Sequence, residues 1–224
     1  GAGRRRETSG RAGRRPGSMK AMRAAAVLLL LGITASAGAA PTVVEFEDPD
    51  RDDYGPGADL YPIHPYFFRR GVFDLKRFRV KDGGKSWILE VEVDLETPQP
   101  IEKRATLARP LDFDQDVFFQ NFDVYIRTPE ATGTRHAEAV PGRNFRFAEG
   151  HEWDRAVVIT PYPFHVRTLL RDWEPKDDTL VPINVQRIGR RFITRIPKED
   201  LSPASPEEWK IAVVVTGAIP FIHG

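Results

Sequence analysis

Five carboxylates fall within seven residues at Glu47-Asp48-Pro49-Asp50-Arg51-Asp52-Asp53, and the run then breaks into Gly55-Pro56-Gly57. Like charges packed this densely repel, so the stretch needs counter-charge from a cation or from water and salt. Calcium takes about six to eight oxygens from carboxylates and carbonyls in an adaptable loop. Asp48, Asp50 and Asp52 alternate, so an extended backbone turns them to one side, and Asp53, Asp59 and carbonyls near Gly55 complete such a shell. This is not an EF-hand loop, because the sixth position holds Asp53 where glycine is needed. The other reading is a solvated acidic turn in which Asp48 and Asp52 accept backbone N–H bonds. Both stand on the sequence. Zinc is disfavoured, since there is no cysteine and no pair of histidines at ligand spacing.

Hydrolytic signatures are missing. The chain has no Gly-x-Ser-x-Gly elbow and no His-Glu-x-x-His helix. A glycosidase needs two carboxylates on opposite sides of a sugar, which sequence spacing does not reveal. The expectation is a protein that is not an enzyme.

Three segments follow from composition. Residues 1–18 are rich in Gly, Arg and Ser and read as disordered sequence upstream of a start at Met19. Residues 19–39 pair a short basic region with the apolar run around Leu28–Leu31 and small residues up to Ala39, the pattern of a secretory signal peptide. That run is shorter than the ~20 residues of a membrane span, so no spanning segment is expected. Residues 40–224 read as one domain that ends just after a core strand, as a C-terminally truncated chain would. Residues 1–39 carry eight of the basic residues and one acidic one, which leaves the remainder at a net −6. A nucleic-acid partner calls for a basic face and is excluded on that balance. Without cysteine an exported domain forms no disulfide.

The elements that must position any site read as β. Val43 to Phe46 is a short strand. Phe73 to Val80 and Trp87 to Leu95 flank the turn signal Asp82-Gly83-Gly84. In the second of these, Trp87, Leu89, Val91, Val93 and Leu95 alternate with Ile88, Glu90, Glu92 and Asp94, which predicts a half-exposed antiparallel strand. Val117 to Arg127 is strongly apolar, like a strand buried on both faces. Ala156 to Ile159 is a strand, and Phe164 to Leu170 is read as another. Val181 to Gln186 and Phe192 to Ile196 form a hairpin about Ile188-Gly189-Arg190. One helical turn at Ser205-Pro206-Glu207-Glu208 leads to Trp209 and a core strand over Lys210 to Thr216. The fold class is therefore all-β: an antiparallel β-sandwich with little helix.

Specific residues carry a resemblance as well. Phe46-x-Asp48-Pro49-x-x-Asp52-Asp53-x-Gly55-Pro56-Gly57-x-x-x-Tyr61-Pro62 is followed by Gly71-x-Phe73-Asp74-Leu75-x-x-Phe78-x-Val80. Then come Gln120-x-x-Asp123-Val124-Tyr125-Ile126, Pro141-Gly142-x-Asn144, Trp153-Asp154-x-Ala156-Val157 and Trp209-x-x-Ala212-Val213-Val214-Val215. Over residues 43–217 this resembles the SLH-like C-terminal binding module of glucodextranase, a family found beside α-glucan-processing enzymes and as stand-alone exported proteins. The resemblance implies a DOMON-like, jelly-roll-like sandwich that binds a polysaccharide or cell-wall glycan without catalysis, in a secreted, periplasmic or cell-surface setting. The alternatives are a structural or assembly module of the envelope, or an accessory to a glycoside hydrolase. Arg127 stands where family members commonly carry Asp. No haem is expected, because both methionines, Met19 and Met22, lie in the leader.

Sugar sites use an exposed flat ring against C–H faces, with polar side chains on the hydroxyls. Trp173, in the polar stretch Arg171-Asp172-Trp173-Glu174-Pro175, is the leading candidate ring, with Trp153, Tyr66, Tyr162 and Phe67 after it. Each could equally be packing in the core or in a loop.

Overall fold

The computed structural model describes residues 39–50, 70–95, 119–129 and 134–217. Within them nine strands make two sheets. One holds β1 (Thr42–Glu47), β2 (Leu75–Asp82), β3 (Ser86–Val93), β8 (Arg191–Pro197) and β7 (Val185–Ile188), in the order β1-β2-β3-β8-β7. The other holds β6 (Thr179–Leu180), β5 (Arg155–Ile159), β4 (Gln120–Arg127) and β9 (Lys210–Gly217), in the order β6-β5-β4-β9. All pairings are antiparallel except β5 with the two-residue β6. The all-β sandwich read from the sequence is the fold.

Period-2 alternation builds the central layer. Phe78, Val80, Leu89, Val91 and Phe192 from the first sheet meet Phe122, Val124, Ile126, Val157 and Ile159 from the second, all fully buried. The ring centroids of Phe122 and Phe192 lie 4.6 Å apart across this interface. The β2–β3 hairpin turns where expected: Gly84 takes φ +81 and its N–H donates to Asp82 Oδ1 at 2.7 Å. The β7–β8 hairpin turns at Gly189, φ +62.

Three elements differ from the sequence reading. Phe164 to Leu170 is not a strand; the chain forms helix α1 (Pro163–Leu169), with proline in its first turn. Val166 and Leu170, one turn apart, lean on the outer face of the four-stranded sheet, so the helical period wins over the β-branched composition. The run predicted as one strand from Val181 to Gln186 is split, with β6 ending before it and β7 starting at Val185. A short helix, α2 (Lys198–Leu201), stands where no element is predicted. The turn before Trp209 is present as a 3-10 turn over Pro206–Glu208. The core strand expected after it is β9, a half-buried strand at the edge of its sheet among the described residues.

The outer face of the five-stranded sheet is also not the open acidic face that β3 alone implies. Register aligns Glu45 with Arg79 and Arg79 with Glu90, and in the next row Glu47 with Arg77, Arg77 with Glu92 and Glu92 with Arg191. Glu90 ends up 2% exposed beneath Arg79 (2.5 Å) and Lys81 (2.6 Å). The long cationic side chains lie over it and neutralise it. Burial pushes the Glu90 carboxyl up, but the hydrogen bonds from Lys81 and Arg79 outweigh it and hold the group below its ordinary 4.5. An acid with a depressed folded pKa contributes stability that is complete above its unfolded value and lost as pH falls through the folded one. Glu90→Gln should therefore lower the urea midpoint at neutral pH and flatten the acid limb of a midpoint-against-pH curve below about 4.5. An acid limb identical to wild type would remove Glu90 from the account.

Candidate functional site

The four-stranded sheet is covered on its outer side too, and there the polar and aromatic chemistry collects. Along β4, Phe122, Val124 and Ile126 face the sandwich interior. The alternate residues Asn121, Asp123, Tyr125 and Arg127 therefore face outward. A connection over residues 134–154 lies across them, tied down by side chains. The Tyr125 hydroxyl accepts the Val140 N–H at 3.1 Å. Arg143 grips Asp123 bidentately at 2.5 and 3.0 Å. The Trp153 indole N–H donates to Glu138 O at 2.9 Å. Asp154 accepts both the N–H (3.1 Å) and the hydroxyl (3.0 Å) of Thr128. At the near end of β4, Gln120 donates to Val72 O at 2.7 Å. The motif residues Asp123, Tyr125, Trp153 and Asp154 thus pin a loop to a sheet, while Gln120 ties β4 to the segment before β2.

Between these ties a cavity of about 250 Å³ opens, lined by Tyr125, Arg127, Phe147, His151, Trp153, Lys210, Ile211 and Ala212. Its wall is aromatic: Tyr125 lies 4.9 Å from Phe147 and 5.6 Å from Trp153, centroid to centroid. Ala212 opposite Tyr125 on β9 leaves the room, since a larger side chain there would fill it. Cationic and imidazole groups ring the mouth. Arg127 is engaged with Gly150 O and Glu152, while Lys210 and His151 are exposed with no ion pair to another described residue. Burial, with the nearby Asp123 charge adding to it, pushes the Tyr125 hydroxyl well above its ordinary range, so it stays protonated. Burial likewise pushes the Asp123 carboxyl up, opposed by its two hydrogen bonds from Arg143. Such a cavity can hold one ring-sized ligand against aromatic faces and offer hydrogen-bond donors at its edge; it presents no nucleophile–base pair.

At the other end of the same face the polarity rises. Asn121 and Thr216 are register partners on β4 and β9, and both Asn121 Oδ1 and Thr216 Oγ1 are buried with no hydrogen-bond partner among the described residues.

The residues singled out in the sequence scatter. Trp153 lines the cavity but is 1% exposed, so it presents little ring to solvent. Trp173 is half-buried, its ring centroid 5.9 Å from that of Trp153. Tyr162 is half-buried at the start of α1, and burial raises its hydroxyl pKa. Tyr66 and Phe67 lie outside the described residues, as do Asp52, Asp53 and Asp59. Of the acidic run, Asp48 is half-buried and donates its N–H to Lys76 O at 3.2 Å, and Asp50 forms an ion pair with Lys76. Lys76 therefore supplies some of the counter-charge the run needs. No cluster of three or more metal-ligating side chains occurs among the described residues. Tyr125, Phe147, His151 and Lys210 were missed. A signal existed: within the apolar run of β4, every second residue from Asn121 to Arg127 is polar or aromatic.

The described residues form a two-sheet β-sandwich with one sheet covered on both faces and an aromatic cavity beneath the covering loop, and no catalytic constellation occurs among them. A family model matches over residues 43–221, described as the C-terminal binding module, SLH-like, of glucodextranase, and the chain belongs to that family. No curated protein matches the chain.

Proposed function

We propose that this is an exported, non-catalytic module that binds a neutral glycan, an α-glucan or cell-wall polymer, in the aromatic cavity beside β4. The observation that supports it is the cavity itself, where the half-buried Phe147 ring, backed by the buried Tyr125 and Trp153, lies next to the exposed donors of Lys210 and His151. Aromatic faces take the C–H side of a pyranose, and the donors take its hydroxyls. About 250 Å³ is at the small end for a ligand pocket, which suits one sugar ring better than a chain lying lengthwise. The leader pattern over residues 19–39 supports export. No helix among the described residues is long and apolar enough to cross a membrane. Calcium at the acidic run is part of the proposal as a structural ion, with Asp48 among its ligands beside the pair of Asp50 and Lys76.

The test is affinity electrophoresis of the chain from residue 40 in gels containing dextran, starch or cell-wall polysaccharide. Retardation in at least one gel is expected, and Lys210→Gln combined with His151→Ala should reduce it several-fold. No retardation on any glucan or wall fraction leaves the envelope-assembly reading in its place. The same gels and a thermal melt run with Ca²⁺ and with EDTA address the ion. An unchanged midpoint and mobility would remove calcium.

A further inference from the structure

A local charge imbalance lies away from that cavity, where α1 and the segment after it meet β6 and β8. Two cavities there, about 230 and 240 Å³, share Arg167, Leu180 and Val181 and so form one groove. Arg171 and Lys176 line one half; Arg195, Asn184 and Asp200 line the other. Four cations face one carboxylate in a chain whose sequence after the leader carries a net −6.

The cations are held but not neutralised. Arg167 spends one N–H on Val181 O at 2.6 Å, and Lys176 one on Arg171 O at 3.0 Å. A guanidinium has five donors and an ammonium three, so most stay available. None of the four makes an ion pair with a described residue. The nearby Asp178 is taken up by Arg155 and His136. Leu170, Leu180 and Val181 form an apolar floor, which strengthens a charge contact above it. The Arg167 guanidinium also lies 6.0 Å from the ring centroid of Phe164.

We infer that this groove is a second binding site, for oxyanion groups repeated along an acidic polysaccharide. Two adjoining pockets on a shared arginine match anionic groups on neighbouring sugars. Arginine forks suit carboxylate, sulfate and phosphate. Asn184 and Asp200 offer partners for hydroxyls. The chain's net negative charge repels a polyanion at long range, so short-range contacts in the groove carry the binding and salt weakens it. The polysaccharide rests on the proposed glycan function; the anion selectivity does not.

Dextran sulfate, polygalacturonate and neutral dextran are the probes, titrated calorimetrically at low and high NaCl into wild type, into Arg171→Gln/Arg195→Gln, and into Lys210→Gln. The two substituted arginines make no ion pair with a described residue, so the variant should melt like wild type. Wild type should bind at least one acidic polymer, and high salt should weaken that binding. The double variant should bind it about three- to tenfold more weakly, while Lys210→Gln binds it as wild type does. Neutral dextran should be indifferent to the arginine pair. Absence of acidic-polymer binding, or binding that survives the double variant, overturns the site. Tighter binding of a single-stranded oligonucleotide than of either acidic polysaccharide overturns the choice of polymer. Acidic-polymer binding with no neutral-glycan binding anywhere leaves the groove standing and removes the cavity reading alone.

Discussion

Arg143→Met should lower the free energy of unfolding by about 3 to 5 kcal/mol, the cost of removing one partner from a buried ion pair. Asp123 is fully buried, and its two oxygens take both prongs of the Arg143 guanidinium at 2.5 and 3.0 Å. Without Arg143 the carboxylate keeps its desolvation and loses its compensation. The defect should depend on pH in a defined sense. Burial already pushes the Asp123 carboxyl up, and losing the arginine pushes it further. An acid with a raised folded pKa contributes stability at low pH that is lost as pH rises through that value. The variant should therefore recover part of its deficit on acidification, while Glu90 works in the opposite direction. Urea titrations across pH report both. The control is Asp123→Leu with Arg143→Met, which exchanges the pair for apolar groups of similar reach and should regain most of the loss. If Arg143→Met costs less than about 1 kcal/mol, the pair behaves as a solvated surface bridge and the loop needs another anchor.

That pair also shows what the sequence could and could not convey. The strands were legible wherever alternation or a glycine turn was strong, as in β2, β3 and the Gly189 hairpin. β4 was legible as a strand buried on both faces, because Phe122, Val124, Tyr125 and Ile126 leave Asp123 as the one charge in that stretch. Its chemistry was not, since a buried Asp123 and an exposed one look alike until Arg143, twenty residues on, closes over it. Trp173, read as the ring most open to solvent, is half-buried for a related reason. Its polar neighbours Arg171, Asp172 and Glu174 are exposed, yet its ring turns back to lie 5.9 Å from Trp153. Glu90 misled in the same way, because cover by Arg79 and Lys81 comes from a neighbouring strand. Phe164 to Leu170 was read as strand from composition, when the i to i+4 pair of Val166 and Leu170 already favoured a helix. The acidic run drew attention first because its chemistry is local. The cavity is assembled from β4, β9 and the loop before β5, and no single stretch contains it.

Trp153→Ala should be the other large effect, about 3 to 5 kcal/mol. The ring is 1% exposed and packs against Tyr125 at 5.6 Å, Trp173 at 5.9 Å and His136 at 4.6 Å. Its N–H holds Glu138 O, and its backbone bridges His136. Truncation opens a void and frees the loop from the outer face of the sheet together. Trp153→Phe separates the two contributions. It keeps most of the apolar area and gives up the hydrogen bond, so it should cost about 1 to 3 kcal/mol, with Glu138 O left unpaired. Because the ring is also a wall of the cavity, glycan retardation should weaken in both variants, in the same order as stability. Lys210→Gln provides the contrast, since Lys210 is exposed on β9 and its loss should reduce retardation with little change in the urea midpoint. If Trp153→Phe binds glycan as wild type does, while Trp153→Ala unfolds, then Trp153 holds the loop without forming the binding surface, and the ring that meets sugar is Tyr125 or Phe147.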